Sequence, residues 1–160
     1  MSTSLRYGAD ESGTEQILAH LLRCDASFHP PLSARLDVPA YARKLDRLAR
    51  RFEAWDHARL VGLVALYVDL ARSAGFVSNV SVESAYRGQG VGSRLLGEAV
   101  LAARALGIGR IVLEVSRQAG DALALYARHG FAPLGDKTDG DCDNLRMQLD
   151  MKGMADERRA

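Results

Sequence analysis

A chain of 160 residues that is 48% hydrophobic and 26% charged is long enough for one globular domain and too apolar for a disordered segment. The formal net charge of +1 gives no electrostatic support for binding nucleic acid. Because no apolar run reaches transmembrane length and the first residues lack the apolar core of a signal peptide, we expect a cytoplasmic protein with no membrane partner.

No linker or internal repeat divides the chain. We therefore expect a single domain over residues 1–152 and a charged tail over residues 153–160. Cys24 and Cys142 are far apart and lack C-x-x-C spacing, which favours free thiols over a disulfide or a metal pair. No metal site is expected.

The first elements are a short strand and a helix. The strand is expected over Ser4–Gly8. Ser12 and Glu15 fit the capping box of a helix that continues to about Ala26, with apolar residues at helical spacing. Two prolines exclude regular helix from the segment that follows.

Asp37 fits the N-cap of a second helix, with Pro39 tolerated in the first turn and Tyr41 opening the apolar stripe. We interpret its basic residues as a solvated face, and a contribution to an acidic acceptor site is the alternative. These basic residues are Arg43, Lys44, Arg47, Arg50 and Arg51.

The rest of the chain alternates apolar runs with two helical patterns, and residues 135–143 are polar and resemble a loop. Two of the runs are joined as a hairpin. The expected strands are Phe52–Trp55, Leu60–Val68, Phe76–Val82, Ile111–Val115, a strand at Phe131 and Leu145–Met151, and the expected helices are Gly90–Leu106 and Asp121–His129.

A turn with glycine at positions 88, 90 and 92 follows a strand and opens directly into a helix. Glycine lets backbone amides approach a ligand without Cβ obstruction, and a helix start adds unpaired N–H groups and positive dipole. Arg87 precedes the glycines and Ser93 follows them. The turn therefore predicts a phosphate site, although it has neither the lysine of a Walker loop nor the G-x-G-x-x-G spacing of a dinucleotide fold.

The R-x-x-G-x-G spacing that begins at Arg87, and the run A-L-Y-A-R-H-G-F over residues 124–131, resemble two signatures of the GCN5-related N-acetyltransferase (GNAT) family. The resemblance is clearest over Arg59–Phe131. It implies acetyl-CoA as co-substrate, with its pyrophosphate held by the glycine turn. The implied cofactor-binding residues are Val80, Val82, Arg87, Gly88, Gln89, Gly90, Val91, Gly92 and Ser93.

The resemblance also implies the fold. We expect an α/β (α+β) domain with a mixed, mostly antiparallel central sheet flanked by helices on both faces. In the family two strands diverge in a V, and here they would be the strands that end near Val82 and Glu114. The segment between the first two helices commonly lines the acceptor pocket, which makes Phe28, His29 and Tyr41 acceptor contacts.

Amide formation from a thioester needs a neutral amine, a polarised carbonyl and protonation of the departing thiolate. The resemblance assigns that last role to Tyr126, with a packed aromatic side chain as the alternative. Glu114 is our base candidate, because a carboxylate in an apolar strand is costly unless it reaches a cleft or a partner. An outward or ion-paired Glu114 is the alternative, and Glu83 or a water chain would then serve as base.

The chain departs from the family pattern at one position. Many relatives carry an asparagine seven residues before the tyrosine, where it binds the pantetheine arm, and Ala119 stands there in this chain. Gln118 and Asp121 are the candidates to replace it.

We predict an N-acetyltransferase that moves the acetyl group of acetyl-CoA to a primary amine by direct transfer in a ternary complex. The acceptor is a small-molecule amine, an amino sugar or a protein amine. The alternative is a CoA- or acyl-CoA-binding sensor or structural subunit without turnover. The oligomeric state stays open, a homodimer included.

Overall fold

The computed structural model describes residues 4–134 and 144–151. Within them lie seven strands and four α-helices. The strands are β1 (Arg6–Ala9), β2 (Arg50–Asp56), β3 (Arg59–Asp69), β4 (Ala74–Val82), β5 (Arg110–Ser116), β6 (Ala132–Pro133) and β7 (Asn144–Asp150), and the helices are α1 (Thr14–Cys24), α2 (Val38–Leu48), α3 (Val91–Ala105) and α4 (Gly120–Arg128).

The strands form one sheet in the order β1-β2-β3-β4-β5-β7-β6. All neighbours are antiparallel except β4 and β5, which are parallel. The predicted mixed, mostly antiparallel sheet is therefore confirmed. The predictions for residues 135–143, Cys142 and the tail at 153–160 lie outside the described residues.

Each face of the sheet has its own apolar core. The face covered by α3 and α4 buries residues such as Val64, Leu95 and Ile111, and the face covered by α1 and α2 buries residues such as Ile17 and Leu63. The predicted arrangement of helices on both faces is confirmed. None of the helices in the described residues is both long and apolar enough to cross a bilayer.

The start of α1 differs from the prediction. Its N-cap is Gly13, whose backbone N–H donates to Oε1 of Gln16 at 2.9 Å. Ser12 is instead buried, and its hydroxyl donates to the carboxylate of Glu53 on β2. The capping box predicted at Ser12 and Glu15 is therefore wrong, because a buried carboxylate distant in sequence binds the serine.

Asp37 caps α2 as predicted, since its Oδ1 accepts a hydrogen bond from the backbone N–H of Ala40 at 3.0 Å. The helix ends at Leu48, and Arg50 and Arg51 belong to β2. Arg51 is buried, so its placement on a solvated face is wrong.

Arg51 and Glu53 form a buried pair that ties the segment before α1 to β2. Arg51 Nε lies 3.5 Å from Glu53 Oε2, and the backbone N–H groups of Glu11 and Ser12 donate to Glu53 at 2.9 and 3.0 Å. The guanidinium also holds the end of α2, where it donates to the carbonyl oxygens of Leu45, Asp46 and Ala49.

The sheet opens between its two parallel strands. β4 and β5 are paired only over Ala74–Val77 and Arg110–Leu113. Beyond these residues β4 stays paired with β3 as far as Val82, and β5 stays paired with β7 as far as Ser116. The predicted V-shaped divergence is confirmed, and it leaves a cleft between the two strand ends.

β4 contains a bulge at the point where it leaves β5. Val77 is opposite Leu66 and Asn79 is opposite Ala65, so Ser78 is an extra residue with no partner on β3. A bulge changes the face to which the following side chains point. Because Ala65 belongs to the core under α1 and α2, Asn79 lies on that face, whereas Val77 lies on the other.

Candidate active site

Two adjoining cavities occupy the cleft in the described part of the chain. The one that we name the tyrosine cavity has a volume of about 330 Å³ and is lined by residues 76–80 of β4, residues 114–116 of β5 and Tyr126. The glycine cavity has a volume of about 520 Å³ and is lined by the glycine turn, the end of β4 and α4. The two share Ser27, Phe28, Val80 and Ala122.

The glycine turn has the backbone that its residues predict. Gly88 and Gly90 have φ of 77° and 80°, which side chains of L-residues rarely adopt. A Cβ at either position would have no protein atom within 4 Å, so it would stand in the open space of the cavity that both residues line. The turn therefore presents bare backbone to a ligand.

Gly92 plays a different part, because a Cβ there would make ordinary contacts at 3.6 Å with Val82 and 3.7 Å with Leu125. It belongs to the first turn of α3 together with Val91 and Ser93. The first backbone N–H groups of a helix have no intrahelical acceptor, and all three of these residues line the glycine cavity. The site thus combines N–H donors with the positive end of the helix dipole.

Two arginines line the glycine cavity. Arg87 donates from Nη2 to Ser27 Oγ at 2.6 Å and from Nε to the carbonyl of Val82 at 3.0 Å. Arg128, on α4, has no ion-pair partner among the described residues, and sequence reasoning missed it although it lies inside the second signature. Of the predicted cofactor residues, Gln89 alone lines neither cavity.

Tyr126 is held by packing on α4. Its ring is buried and meets Phe131 edge-on, with the ring centroids 6.1 Å apart. Burial raises the pKa of Tyr126 to about 12, so the phenol stays protonated at physiological pH. No side chain or carbonyl among the described residues bonds its hydroxyl. Since Tyr126 lines the tyrosine cavity, this proton is available to a bound molecule.

Glu114 lines the tyrosine cavity but is not enclosed by apolar residues. Its side chain is 48% exposed, and Oε2 lies 3.2 Å from Nη2 of Arg146 on β7. Glu114 thus has the outward, ion-paired position that the sequence analysis gave as the alternative. The reason is that β5 alternates, with Leu113 and Val115 buried on one face and Glu114 on the other.

Glu83 is a structural ion-pair residue. Its buried carboxylate accepts from Arg59 Nη2 at 2.6 Å and from Arg23 Nε at 2.9 Å. Burial alone raises the pKa of Glu83, but the hydrogen bonds from the two arginines outweigh it and the pKa is lowered. Glu83 lines neither cavity, which argues against it as the alternative base.

The predicted acceptor residues meet at the tyrosine cavity. Phe28, His29 and Tyr41 all line it, and Phe28 reaches the glycine cavity as well. The Tyr41 hydroxyl donates to the carbonyl of Ser78 at 3.1 Å, which joins α2 to the bulge in β4. This contact fixes one wall of the cavity.

The position of the missing asparagine lies on the wall of the tyrosine cavity. Ala119 is the N-cap of α4 and lines the tyrosine cavity. Of the two candidate replacements, Asp121 lines the glycine cavity and Gln118 lines neither.

A buried polar chain that sequence reasoning missed extends from His20 to both cavities, with Ser81 lining the glycine cavity and Asn79 the tyrosine cavity. His20 is fully buried, with Nδ1 3.0 Å from the carbonyl of Leu60 and Nε2 2.8 Å from Ser81 Oγ. The amide nitrogen of Asn79 donates to the same Ser81 Oγ at 2.8 Å. Burial lowers the pKa of His20 to about 4, so its imidazole is neutral at physiological pH.

The titration of His20 predicts a loss of stability in acid. The unfolded histidine takes up a proton near pH 6.5, whereas the folded one resists protonation until about pH 4. As the pH falls from 7 to 5, we expect the free energy of unfolding to decrease by about 2 kcal/mol on this account. Urea unfolding of the wild type and of His20→Gln at pH 7 and pH 5 measures this change in the free energy of unfolding. An equal pH dependence in the two proteins would contradict it.

No group of three or more His, Cys, Asp or Glu side chains in residues 4–134 and 144–151 is arranged to hold a metal ion.

Comparison with known proteins places these features in a family. The profile described as the acetyltransferase (GNAT) family matches residues 15–131. A mycothiol acetyltransferase of Jonesia denitrificans is 35% identical over 106 residues, which cover 66% of this chain and 33% of that protein. The chain spans about a third of the length of the curated relatives it matches.

Solved structures share the fold. The ribosomal-protein-S18-alanine N-acetyltransferase of Escherichia coli matches with a TM-score of 0.72 at 21% identity, over 92% of this chain and 94% of that one. The PaiA N-acetyltransferase of Thermoplasma acidophilum, solved in complex with coenzyme A, matches with a TM-score of 0.70 at 18% identity, over 92% and 99% of the two chains.

Proposed function

Because this chain belongs to the acetyltransferase (GNAT) family, whose members are acyltransferases, we propose that it moves the acetyl group of acetyl-CoA directly to a primary amine. The observation that carries this proposal is the meeting of the two cavities at Val80 and Ala122. One cavity has the features of a phosphate site, and the other holds a protonated phenol. A thioester placed at their junction would be open to attack from the tyrosine cavity.

The glycine cavity fits the diphosphate part of acetyl-CoA. Gly88 and Gly90 leave room for phosphate oxygens, the N–H groups at the start of α3 donate to them, and Arg87 and Arg128 supply positive charge. When bound, acetyl-CoA supplies an acyl group activated as a thioester. The arm that carries this group would follow the edge of β4 that the divergence of β5 leaves unpaired.

The chemistry requires the amine to lose a proton and the sulfur to gain one. The amine nitrogen forms the new bond to the acyl carbon as the carbon–sulfur bond breaks. Tyr126 donates its proton to the departing thiolate, and solvent then reprotonates the phenolate. Glu114 lies at the rim of the tyrosine cavity, where its exposed carboxylate accepts the amine proton directly or through water.

Direct transfer fits this site better than an acyl-enzyme on Cys24, the one cysteine among the described residues. Cys24 lines the glycine cavity 3.8 Å from His20 Nε2, so the pair looks like a nucleophile and its base. Burial raises the pKa of the Cys24 thiol to about 11, which leaves little thiolate at neutral pH. The nearby imidazole nitrogen is already occupied by Ser81.

Gly90→Ala tests the proposed acetyl-CoA site, with Gly107→Ala as a matched control. Both glycines flank α3 and have φ near 80°, and a Cβ at either position would meet no atom within 4 Å beyond its own residue and its two chain neighbours. Equal backbone strain of about 1–2 kcal/mol is therefore expected in both variants. Only the Cβ at position 90 lies where phosphates must approach. We expect the acetyl-CoA Kd to rise about tenfold or more in Gly90→Ala alone.

Calorimetric titration with acetyl-CoA measures this Kd, and thiol release with a panel of primary amines tests turnover. Equal affinities in the two variants would remove the phosphate site from the glycine turn. Acetyl-CoA binding without thiol release for any amine would favour a sensor over a transferase.

A further inference from the structure

We propose that Asn79 binds the acceptor amine, with its side-chain oxygen accepting one N–H of the primary amine in the tyrosine cavity. This inference rests on the proposed function, because it names the group that orients the nucleophile of that transfer. It is carried by a chain of hydrogen bonds whose direction is fixed from one end to the other.

The bulge at Ser78 directs Asn79 toward the core under α1 and α2 while leaving it at the mouth of the cleft. Asn79 is 5% exposed and lines the tyrosine cavity. Ser81, two residues further, lies on the same face, opposite Leu63 of that core. Without the extra residue, Asn79 would point to the opposite face of the sheet.

His20 sets the direction of the chain. Its Nδ1 faces the carbonyl oxygen of Leu60 at 3.0 Å, and a carbonyl can only accept, so Nδ1 carries the proton. Since the imidazole is neutral, Nε2 must accept. Ser81 Oγ, 2.8 Å away, therefore donates its hydroxyl proton to Nε2. The Cys24 thiol lies 3.8 Å from the same nitrogen and is a weaker donor.

With its proton committed to His20, Ser81 Oγ can only accept from Asn79. The amide nitrogen of Asn79 meets this need at 2.8 Å and lies 3.3 Å from the carbonyl of Leu63. Turning the amide over would set its oxygen against two acceptors. The orientation of Asn79 is thus fixed, with the nitrogen toward Ser81 and Leu63.

The oxygen atom of the Asn79 side chain is left to the cavity. It has no donor among the described residues. Asn79 as a residue is only 5% exposed, but this oxygen is not fully buried and is accessible from the tyrosine cavity that Asn79 lines. An unpaired carbonyl oxygen that faces a cleft can accept a hydrogen bond from a bound molecule, and the N–H group of an amine supplies one. The arrangement selects a donor and disfavours a ligand that presents only acceptors.

A hydrogen bond from the amine to Asn79 is compatible with the protons that the reaction removes and retains. A neutral primary amine has two N–H groups, of which one proton leaves and one remains in the product amide. Asn79 holds the proton that remains, so the lone pair stays free for attack and the other proton faces the base. A secondary amine has a single N–H, which must leave, and it would lose this contact during the reaction.

Asn79→Leu keeps the branched shape and removes the acceptor. The probes are glycinamide and 2-phenylethylamine, each compared with its N-methyl derivative in a thiol-release assay with acetyl-CoA. We expect kcat/KM for the primary amines to fall about tenfold, the loss of one hydrogen bond to a polar ligand. The preference for the primary over the N-methyl amine should fall with it, while the acetyl-CoA Kd stays unchanged.

Ser81→Ala is the second variant, in case Asn79→Leu does not fold. It leaves Asn79 in place but frees its amide to turn, so the preference for primary amines should fall here too. Ser84→Ala, an exposed serine that lines neither cavity, is the control and should match the wild type.

The outcomes separate this inference from the transferase proposal. If the wild type turns over these amines and both Asn79→Leu and Ser81→Ala keep its preference, Asn79 does not bind the amine. If the wild type binds acetyl-CoA but releases no thiol with any probe, transfer to a primary amine is overturned, and the role of Asn79 with it.

Discussion

Tyr126→Phe is expected to lower kcat by about 10²–10⁴-fold while the acetyl-CoA Kd stays the same. The variant keeps the buried ring and its edge-on contact with Phe131 and removes only the hydroxyl. Because no described residue bonds this hydroxyl, its loss leaves no partner unsatisfied. An effect on turnover without an effect on stability is therefore the signature of a proton donor.

The pH profile provides an independent check of Tyr126. With its pKa raised to about 12, the phenol should cause no loss of kcat up to about pH 10 in the wild type. Tyr7→Phe is the matched control, since Tyr7 lines neither cavity and stacks under Arg94 on α3. If Tyr126→Phe retains full kcat under conditions where chemistry limits turnover, Tyr126 is a packing residue.

Features that depend on a few neighbouring residues could be predicted from the sequence. Asp37 caps α2 because an aspartate ahead of an apolar helical pattern needs only the backbone of the next turn. The glycine turn presents bare backbone as predicted, because Gly88 and Gly90 lack the Cβ that would disfavour their left-handed conformation. Tyr126 lines the cleft because α4 follows β5 after a short turn.

Features that depend on pairing between distant segments could not be predicted from the sequence. Ser12 fitted a capping box locally, but in the fold its hydroxyl donates to the buried carboxylate of Glu53, 41 residues away in sequence. His20 and Ser81 are 61 residues apart, and only the folded sheet makes them partners. The bulge that turns Asn79 toward them is a property of strand register, which an apolar run does not encode.

Glu114 shows how a pattern can mislead. Four of the five residues in the run Ile111–Val115 are apolar, which suggested that a carboxylate there would be costly unless it reached a cleft or a partner. The strand instead alternates, with Ile111, Leu113 and Val115 buried on one face and Glu114 exposed on the other. Its partner Arg146 lies directly opposite in the register, a pairing that needs the strand order.

Glu53→Ala is expected to have the largest effect on stability, lowering the free energy of unfolding by about 3–5 kcal/mol. The carboxylate is fully buried, and its removal leaves the buried Arg51 with only the partly exposed Asp46, whose Oδ1 lies 3.7 Å from Nη2, as counter-ion. The backbone N–H groups of Glu11 and Ser12 lose their acceptor as well. These groups hold the start of α1, the helix that carries His20.

Urea unfolding measures this change, and Glu98→Ala is the control. Glu98 pairs with Arg94 at 3.0 Å on the exposed side of α3, where such pairs contribute less than about 0.5 kcal/mol. The double variant Arg51→Met with Glu53→Leu removes both charges and should be more stable than Glu53→Ala alone, because no buried charge then depends on the partly exposed Asp46 as its sole counter-ion. If Glu53→Ala costs no more than Glu98→Ala, the buried pair does not anchor α1. If the double variant is no more stable than Glu53→Ala, the cost lies in the lost backbone hydrogen bonds and not in the weakened pairing of Arg51.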